Sequence, residues 1–436
     1  LVRGEVEPDG QQVRVTVRLD DASGVNLKRA AVTVSSDSLS AMRARLTVTA
    51  SDLIRQQLGT EIEVKEERAG TKSSAAWLLV QRGKERQKNG DALNAKGDTA
   101  GLNSAFLEAD SLYAAAARED PKWAEPVTAR EGLAYRRSRI AAGDAAAIRK
   151  WIEVGVAQAD SALLLDPNSA DALELRGNLR YWGWISAIET DAGKRQAALL
   201  AAKTDLEQST TLNRNQAGAY ATLSHLYNQI PSATSSDVYI AAQRAFEADE
   251  FLTNANVVLQ RLFDAAYDLG QFDKAEQWCT AARQRFPRDV RGTKCQLYLL
   301  TTKGSPASVP TAWRLADSAV AMVAPGTRPR ERLTDDMLVA AVLAQVSKTQ
   351  SAFADSARHV ARRSEGTAQI DPTRDIAYLG AFVYTLLGDK DEAIRLLKLY
   401  VAANPQRTEA LRSDPGWMFR DLERDSRFRQ AVGGAP

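Results

Sequence analysis

Two stretches of the chain, AYDLGQFDKAEQWCTAARQRFP (266–287) and YTLLGDKDEAIRLLKLYVAANP (384–405), are built to one scheme. Gly270 aligns with Gly388, Ala275 with Ala393, Cys279 with Leu397 and Pro287 with Pro405. A glycine between two runs of helical apolar periodicity marks a turn, and a proline ends the second run. Small residues at helical spacing let the two helices touch. Such a pair cannot bury its apolar stripe alone, so it must stack on further copies of itself. Trp278, beside Cys279, falls off the packing stripe.

The scheme recurs. In AGAYATLSHLYNQIP (217–231), Ala219, Tyr220, Leu223, Ser224 and Tyr227 fill the first helix. Ala241, Ala245 and Ala248 carry the second helix after a longer loop, PSATSS. ADALELRGNLRYWGW (170–184) is another first helix, entered through Asp166-Pro167-Asn168. Asp-Pro pairs at 120–121, 166–167, 371–372 and 414–415 punctuate the series. Aspartate suits a helix cap and proline the first helical position. The pattern predicts eight helix pairs, over 75–118, 121–165, 168–211, 215–250, 253–286, 289–323, 331–364 and 373–404. DPGWMFRDLERDSRFRQAVG then reads as a capping helix over the last apolar face.

These units resemble the tetratricopeptide family, strongly over 166–287 and 373–405 and more loosely over 75–165 and 289–364. Arg214 stands where that family usually has a closing proline, and the loops after 187, 230 and 304 vary, so uneven curvature is expected. The amino-terminal residues differ in kind. VRGEVEP, QQVRVTVRLDD and LKRAAVTVS read as strands, with Val13, Val15, Val17 and Leu19 alternating against Arg14, Thr16 and Arg18. A helical pattern follows from about Ser38 to Leu58, stopped by Gly59. VRGEVEPDGQQVRVTVRLDDASG resembles the TolB-like module that precedes helical repeats in many bacterial signalling proteins. The expected layout is a partial TolB-like α/β segment at 1–65, a linker at 66–74, an α-solenoid at 75–414, and a capping helix and tail at 415–436. The expected fold is thus mainly α, a tetratricopeptide-like α-solenoid after a small α/β segment.

Composition excludes several functions. The 436 residues carry 57 Lys and Arg against 55 Asp and Glu, a net +2 that gives no reason to expect a nucleic-acid or anionic-membrane partner. No apolar run is long enough for a membrane span, so no direct membrane insertion is expected. Leu1 already sits in a strand-like pattern without a leader, so the sequence reads as a piece of a longer chain in which an anchor could lie upstream. Two cysteines and two histidines do not suggest a metal site, and no cofactor is expected. Kinase, phosphate-loop and nucleophile-elbow motifs are all missing, so the chain is read as no enzyme.

Several residues admit two readings. Cys279 and Cys295 fall on successive helices, either as reduced core thiols or as a disulfide that would imply an oxidising compartment. Tyr181-Trp182-Gly183-Trp184 is either packing or a stacking platform. Arg330-Glu-Arg-Leu-Thr-Asp-Asp reads as a solvated turn entering a helix, with Thr334 or Asp335 as its cap. His359 reads as a solvated position, and His225 as a groove wall or a single ligand contact.

In the tetratricopeptide family, certain first-helix positions line a concave face. Carried onto this sequence, they are Asp171, Glu174, Asn178, Tyr181 and Trp182, then His225, Asn228 and Gln229. Next come Gln260, Asp264, Tyr267 and Asp268, then Arg291, Lys294 and Tyr298, and finally Asp375, Tyr378 and Phe382. The resemblance implies a groove for a protein or extended peptide ligand, anchored by tyrosines. ALELRGNLRYWGW, RFPRDVRGTKCQLYLLTT, DPTRDIAYLGAFVYTLLGD and DPGWMFRDL further resemble the carboxy-terminal region of bacterial membrane-associated serine/threonine kinases. That likeness implies a regulatory arm, leaning to an extracytoplasmic place on a membrane-associated protein, with the cytoplasm as alternative. A free-standing envelope scaffold, or the arm of a cyclase or transcription regulator, are the other readings.

Overall fold

The computed structural model describes residues 2–9, 12–20, 26–35, 49, 70–230, 232–249, 252, 254–302, 308–365 and 369–433. Three strands come first, β1 (Val2–Asp9), β2 (Gln12–Asp20) and β3 (Asn26–Ser35), in an antiparallel sheet of order β1-β2-β3. Val6 pairs with Val15, and Val15 with Val32. Val15 and Val17 are buried while Arg14 beside them is exposed, as period-2 alternation requires. Of the helix expected over 38–58, all but Thr49 lies outside the described residues.

Among the described residues, eight helix pairs follow. They are α1 (Ser74–Ala95) with α2 (Thr99–Glu119), α3 (Glu125–Ile140) with α4 (Ala145–Leu165), α5 (Ala170–Ile185) with α6 (Ala192–Leu212), and α7 (Ala217–Leu226) with α8 (Ser235–Ala248). Then come α9 (Ala255–Asp268) with α10 (Phe272–Arg285), α11 (Val290–Leu300) with α12 (Ser308–Met322), α13 (Arg328–Ser347) with α14 (Phe353–Ala361), and α15 (Asp375–Leu386) with α16 (Lys390–Ala403). Gly270 and Gly388 take φ of +69° and +76°, which closes the turn inside their pairs and which only glycine adopts without strain.

The chain forms two compact units, residues 1–134 with 160–167, and residues 135–159 with 168–436. The first holds a core of Ala76, Val80, Phe106, Ala109, Tyr113, Ala116 and Trp123. In the second, Ala275 and Ala393 are fully buried at the helix contacts the repeat scheme assigns them. Trp278, off that stripe, meets Phe246 of α8 edge to face and donates to Tyr239 Oη at 3.3 Å.

The structure bears on four expectations. First, the Asp-Pro pairs at 120–121, 166–167 and 371–372 lie in turns ahead of their helices, whereas Asp414 caps the helix directly after its pair by accepting from Gly416 N at 2.9 Å. Ser169, not Asp166, caps α5 by accepting from Ala172 N, and Asp371 reaches Asp375 N and Ile376 N at 3.0 Å from four and five residues upstream. Second, α13 begins at Arg328, so Asp335 and Asp336 sit within the helix and are buried rather than capping it. Third, of the two readings of Cys279 and Cys295 the disulfide stands, across a Cα separation of 5.6 Å, linking α10 to α11. Fourth, the end of the chain is no single capping helix but three short ones, α17 (Thr408–Ser413), α18 (Gly416–Phe419) and α19 (Ser426–Ala431).

Candidate binding groove

Along α5, Asp171, Glu174, Asn178, Tyr181 and Ile185 recur at three- and four-residue steps and so share one face. Asn178, Tyr181, Trp182 and Ile185 from α5 meet Ala221, Thr222 and His225 of α7, Asn254 and Arg261 at α9, and Tyr135 and Arg139 of α3. Together they enclose a pocket of about 140 Å³ within the second unit.

Its wall is hydrogen-bonded and aromatic. Tyr181 Oη lies 3.1 Å from His225 Nδ1, and the Tyr181 ring stacks on Trp184. Trp182 Nε1 donates to Ser138 O at 3.1 Å, while the Arg139 guanidinium lies 3.9 Å from the Trp182 ring centre. Arg261 Nη1 donates to Ala221 O at 2.6 Å and Ser224 Oγ at 2.9 Å. Burial and the nearby Arg261 charge hold His225 down to about 4, so its imidazole is neutral at pH 7. Burial, with Asp171 beside it, pushes Glu174 up to about 7 despite a hydrogen bond from Asn178. Asn178 Oδ1 is buried without a partner among the described residues.

Of the residues expected to line a groove, this pocket gathers Asn178, Tyr181, Trp182 and His225. Asp171 is exposed and accepts from Gln216 Nε2, and Glu174 sits half-buried one turn away. Asn228 donates weakly to Ser224 O at 3.5 Å. Sequence reasoning missed Tyr135, Arg139, Thr222 and Arg261. Tyr135 and Arg139 stand four apart on α3, whose loose match to the repeat hid its register. Arg261 directly follows the expected Gln260 and was passed over for its neighbour.

The remaining expected residues lie elsewhere in the second unit, several of them in contacts within the chain. Arg291 pairs with Asp289 at 2.9 Å and donates to Gln260 Oε1 at 2.6 Å. Lys294 pairs with Glu331 at 2.8 Å, with buried Asp335 at 3.7 Å. Asp375 accepts from Arg330 at 2.8 Å. Desolvation pushes Asp264, Asp268 and Asp335 up to about 7.

Tyr267 and Phe382, expected to line an open face, are 3% and 1% exposed. Trp417 of α18 packs edge to face on Tyr267, Phe272 and Phe382 at centroid distances of 5.2, 5.0 and 5.1 Å. Fully buried Phe419 meets Tyr378 at 5.0 Å, and Tyr298 meets Tyr267 at 5.3 Å. The tail therefore bridges α9 and α15 instead of covering only the last pair, with Trp417 and Phe419 set edge to face among these rings.

No family model and no curated protein matches the chain. Among solved structures it is similar to TTC0263, a thermophilic TPR protein of Thermus thermophilus, at 15% identity, covering 50% of this chain and 99% of that one with a TM-score of 0.35. It is similar to yeast Tom70 at 12% identity, covering 89% and 77% with a TM-score of 0.35. The P58(IPK) TPR domain matches at 11% identity, covering 80% and 96% with a TM-score of 0.22.

Proposed function

We propose that this chain is a non-catalytic binding scaffold that takes an extended peptide or protein segment across α5, α7 and α9. One observation carries the reading. The α5–α7–α9 surface holds a pocket of about 140 Å³ with an unpartnered buried amide oxygen, while the corresponding rings of α9 and α15 are filled by the chain's own Trp417 and Phe419. Those aromatic residues illustrate what such a surface accepts: side chains delivered by an irregular segment. Panning the full chain against random dodecapeptides tests the reading. Peptides should enrich and should lose binding to Thr222→Trp, which fills the pocket. Absence of enrichment, or equal binding to a folded Thr222→Trp, would sink it.

The finer reading makes this scaffold the regulatory arm of a bacterial serine/threonine kinase, lying outside the cytoplasm. The Cys279–Cys295 disulfide supports the compartment, since such bonds persist where the surroundings are oxidising. Maleimide-polymer labelling of the denatured protein, taken directly from its own cells, should shift its mobility only after reduction. Full labelling without reductant would place it in a reducing compartment instead.

A further inference from the structure

Several arginines of the second unit answer to a carboxylate. Arg176 and Arg180 share Asp205, Arg291 meets Asp289, and Arg330 meets Asp375. Arg139 and Arg261 make no hydrogen bond to a carboxylate among the described residues: Arg139 lies over the Trp182 ring, and Arg261 donates to a carbonyl and a hydroxyl, with the Asp264 carboxyl near enough to act on its charge. Both line the same pocket. Of the acids nearby, Glu174 and Asp264 are both pushed up to about 7 by burial, so each carries only part of a negative charge at pH 7. His225, neutral there, adds no positive charge of its own. Arg139 thus has no carboxylate within hydrogen-bond reach among the described residues, and both arginines line the pocket between the low-dielectric walls of Tyr135, Tyr181 and Trp182.

Asn178 adds a second, independent demand. It is 8% exposed and lines the pocket; its amide nitrogen serves Glu174 while Oδ1 has no donor among the described residues. A buried acceptor left unpaired costs about 1–3 kcal/mol, so a ligand that brings an N–H there gains that back. The complementary ligand carries an anion and an N–H a few bonds apart. Size narrows it further: about 140 Å³ is close to the ~150 Å³ that admits a benzene-sized guest, room for one side chain and too little for a nucleotide.

We propose that the pocket is a subsite for one acidic residue of an extended peptide, its carboxylate held by Arg139 and Arg261 and its backbone N–H donated to Asn178 Oδ1. The proposal rests on the peptide-binding reading above and names the chemistry of its central contact. Guanidinium groups suit the task because their fixed fork of donors matches the two oxygens of a carboxylate.

Saturation-transfer NMR on the full chain with N-acetyl-glutamate N-methylamide, against the glutamine analogue, tests it. The acid should bind at least tenfold more tightly than the neutral analogue. Arg139→Met and Arg261→Met should each erase that preference. Arg261 also braces Ala221 O, so Arg261→Met could fail to fold; Arg139 only stacks on Trp182, and Arg139→Met therefore decides the matter. Equal binding of acid and amide, or a preference that survives Arg139→Met, overturns the proposal. So does tighter binding of free glutamate than of the capped residue, which would assign the pocket to a small metabolite. The panning experiment separates the two readings. Enriched peptides without acidic residues overturn the subsite and leave the scaffold standing. Acidic enrichment supports both, and capped glutamate binding without any peptide enrichment removes the peptide source.

Discussion

Ala275 shows what a single residue decides. Its side chain is fully buried on α10, at the small-residue position of the repeat scheme. An indole has no room there, and forcing bulk into a packed core costs about 1–3 kcal/mol or more. Ala275→Trp should therefore lower the melting temperature markedly or split the array, and an unchanged melt would mean the repeat register is wrong. Trp417 is the opposite case, a large ring whose loss leaves a hole. Trp to Ala in a core costs about 3–5 kcal/mol. Trp417 is half-buried, so Trp417→Ala should fall at or below the lower end, with increased binding of a hydrophobic dye as Tyr267 and Phe382 lose their cover. Both residues were visible in the sequence. The small size of Ala275 and its place five residues after a turn glycine made its role legible, whereas nothing in the order of residues tells which rings Trp417 will meet.

At the scale of elements, the disulfide and the tail tie helices that the repeat scheme alone would leave as neighbours. Cys279 and Cys295 are 16 residues apart. Closing a loop of that length stabilises by about 3 kcal/mol in the chain-entropy account. The double variant Cys279→Ala, Cys295→Ala should lower the denaturation midpoint accordingly, and reduction of the wild type should do the same. If neither treatment moves the midpoint, the bond contributes nothing to the fold. The cysteine positions were plain in the sequence, but pairing depends on how close α10 and α11 bring two Cα atoms, which is a tertiary distance. The tail behaves alike. Its apolar residues announced a cover, yet the place covered was set by the rings of α9 and α15 that stand free to receive Trp417 and Phe419.

Across the second unit, the buried acids set how stability answers to pH. Desolvation raises Glu174 from 4.5, and Asp264, Asp268 and Asp335 from 3.8, all to about 7. A raised carboxyl favours the protonated folded state, so its stabilisation is full below the unfolded pKa and lost as pH rises through about 7. His225 acts the other way: lowered from 6.5 to about 4, it loses stability as pH falls across that range. These acids outnumber the one imidazole, so the melting temperature should rise from pH 8 to pH 6. Asp425, lowered from 3.8 to about 2, contributes above 3.8 and does not offset this window. A melting temperature that falls between pH 8 and pH 6 would show that these acids are ionised in the folded protein.

The sequence by itself determined the repeating unit. Turn glycines, small contact residues and closing prolines are local requirements of a helix pair. Local requirements are written in consecutive residues, so all eight pairs and the three strands could be read from residue order alone. Helical spacing also set Asn178 and Tyr181 on one face of α5, while His225 of α7 was singled out only through the resemblance to the tetratricopeptide repeat. Only the tertiary structure decided which stretch of that surface stays open. The joining of Arg139 and Arg261 from α3 and α9, the burial of Asp335 within α13, and the occupation of the α9–α15 rings by Trp417 all depend on contacts between residues far apart in the chain. Such contacts are set by competition for buried apolar surface and for charge partners, and that competition is resolved only once every helix pair is in place.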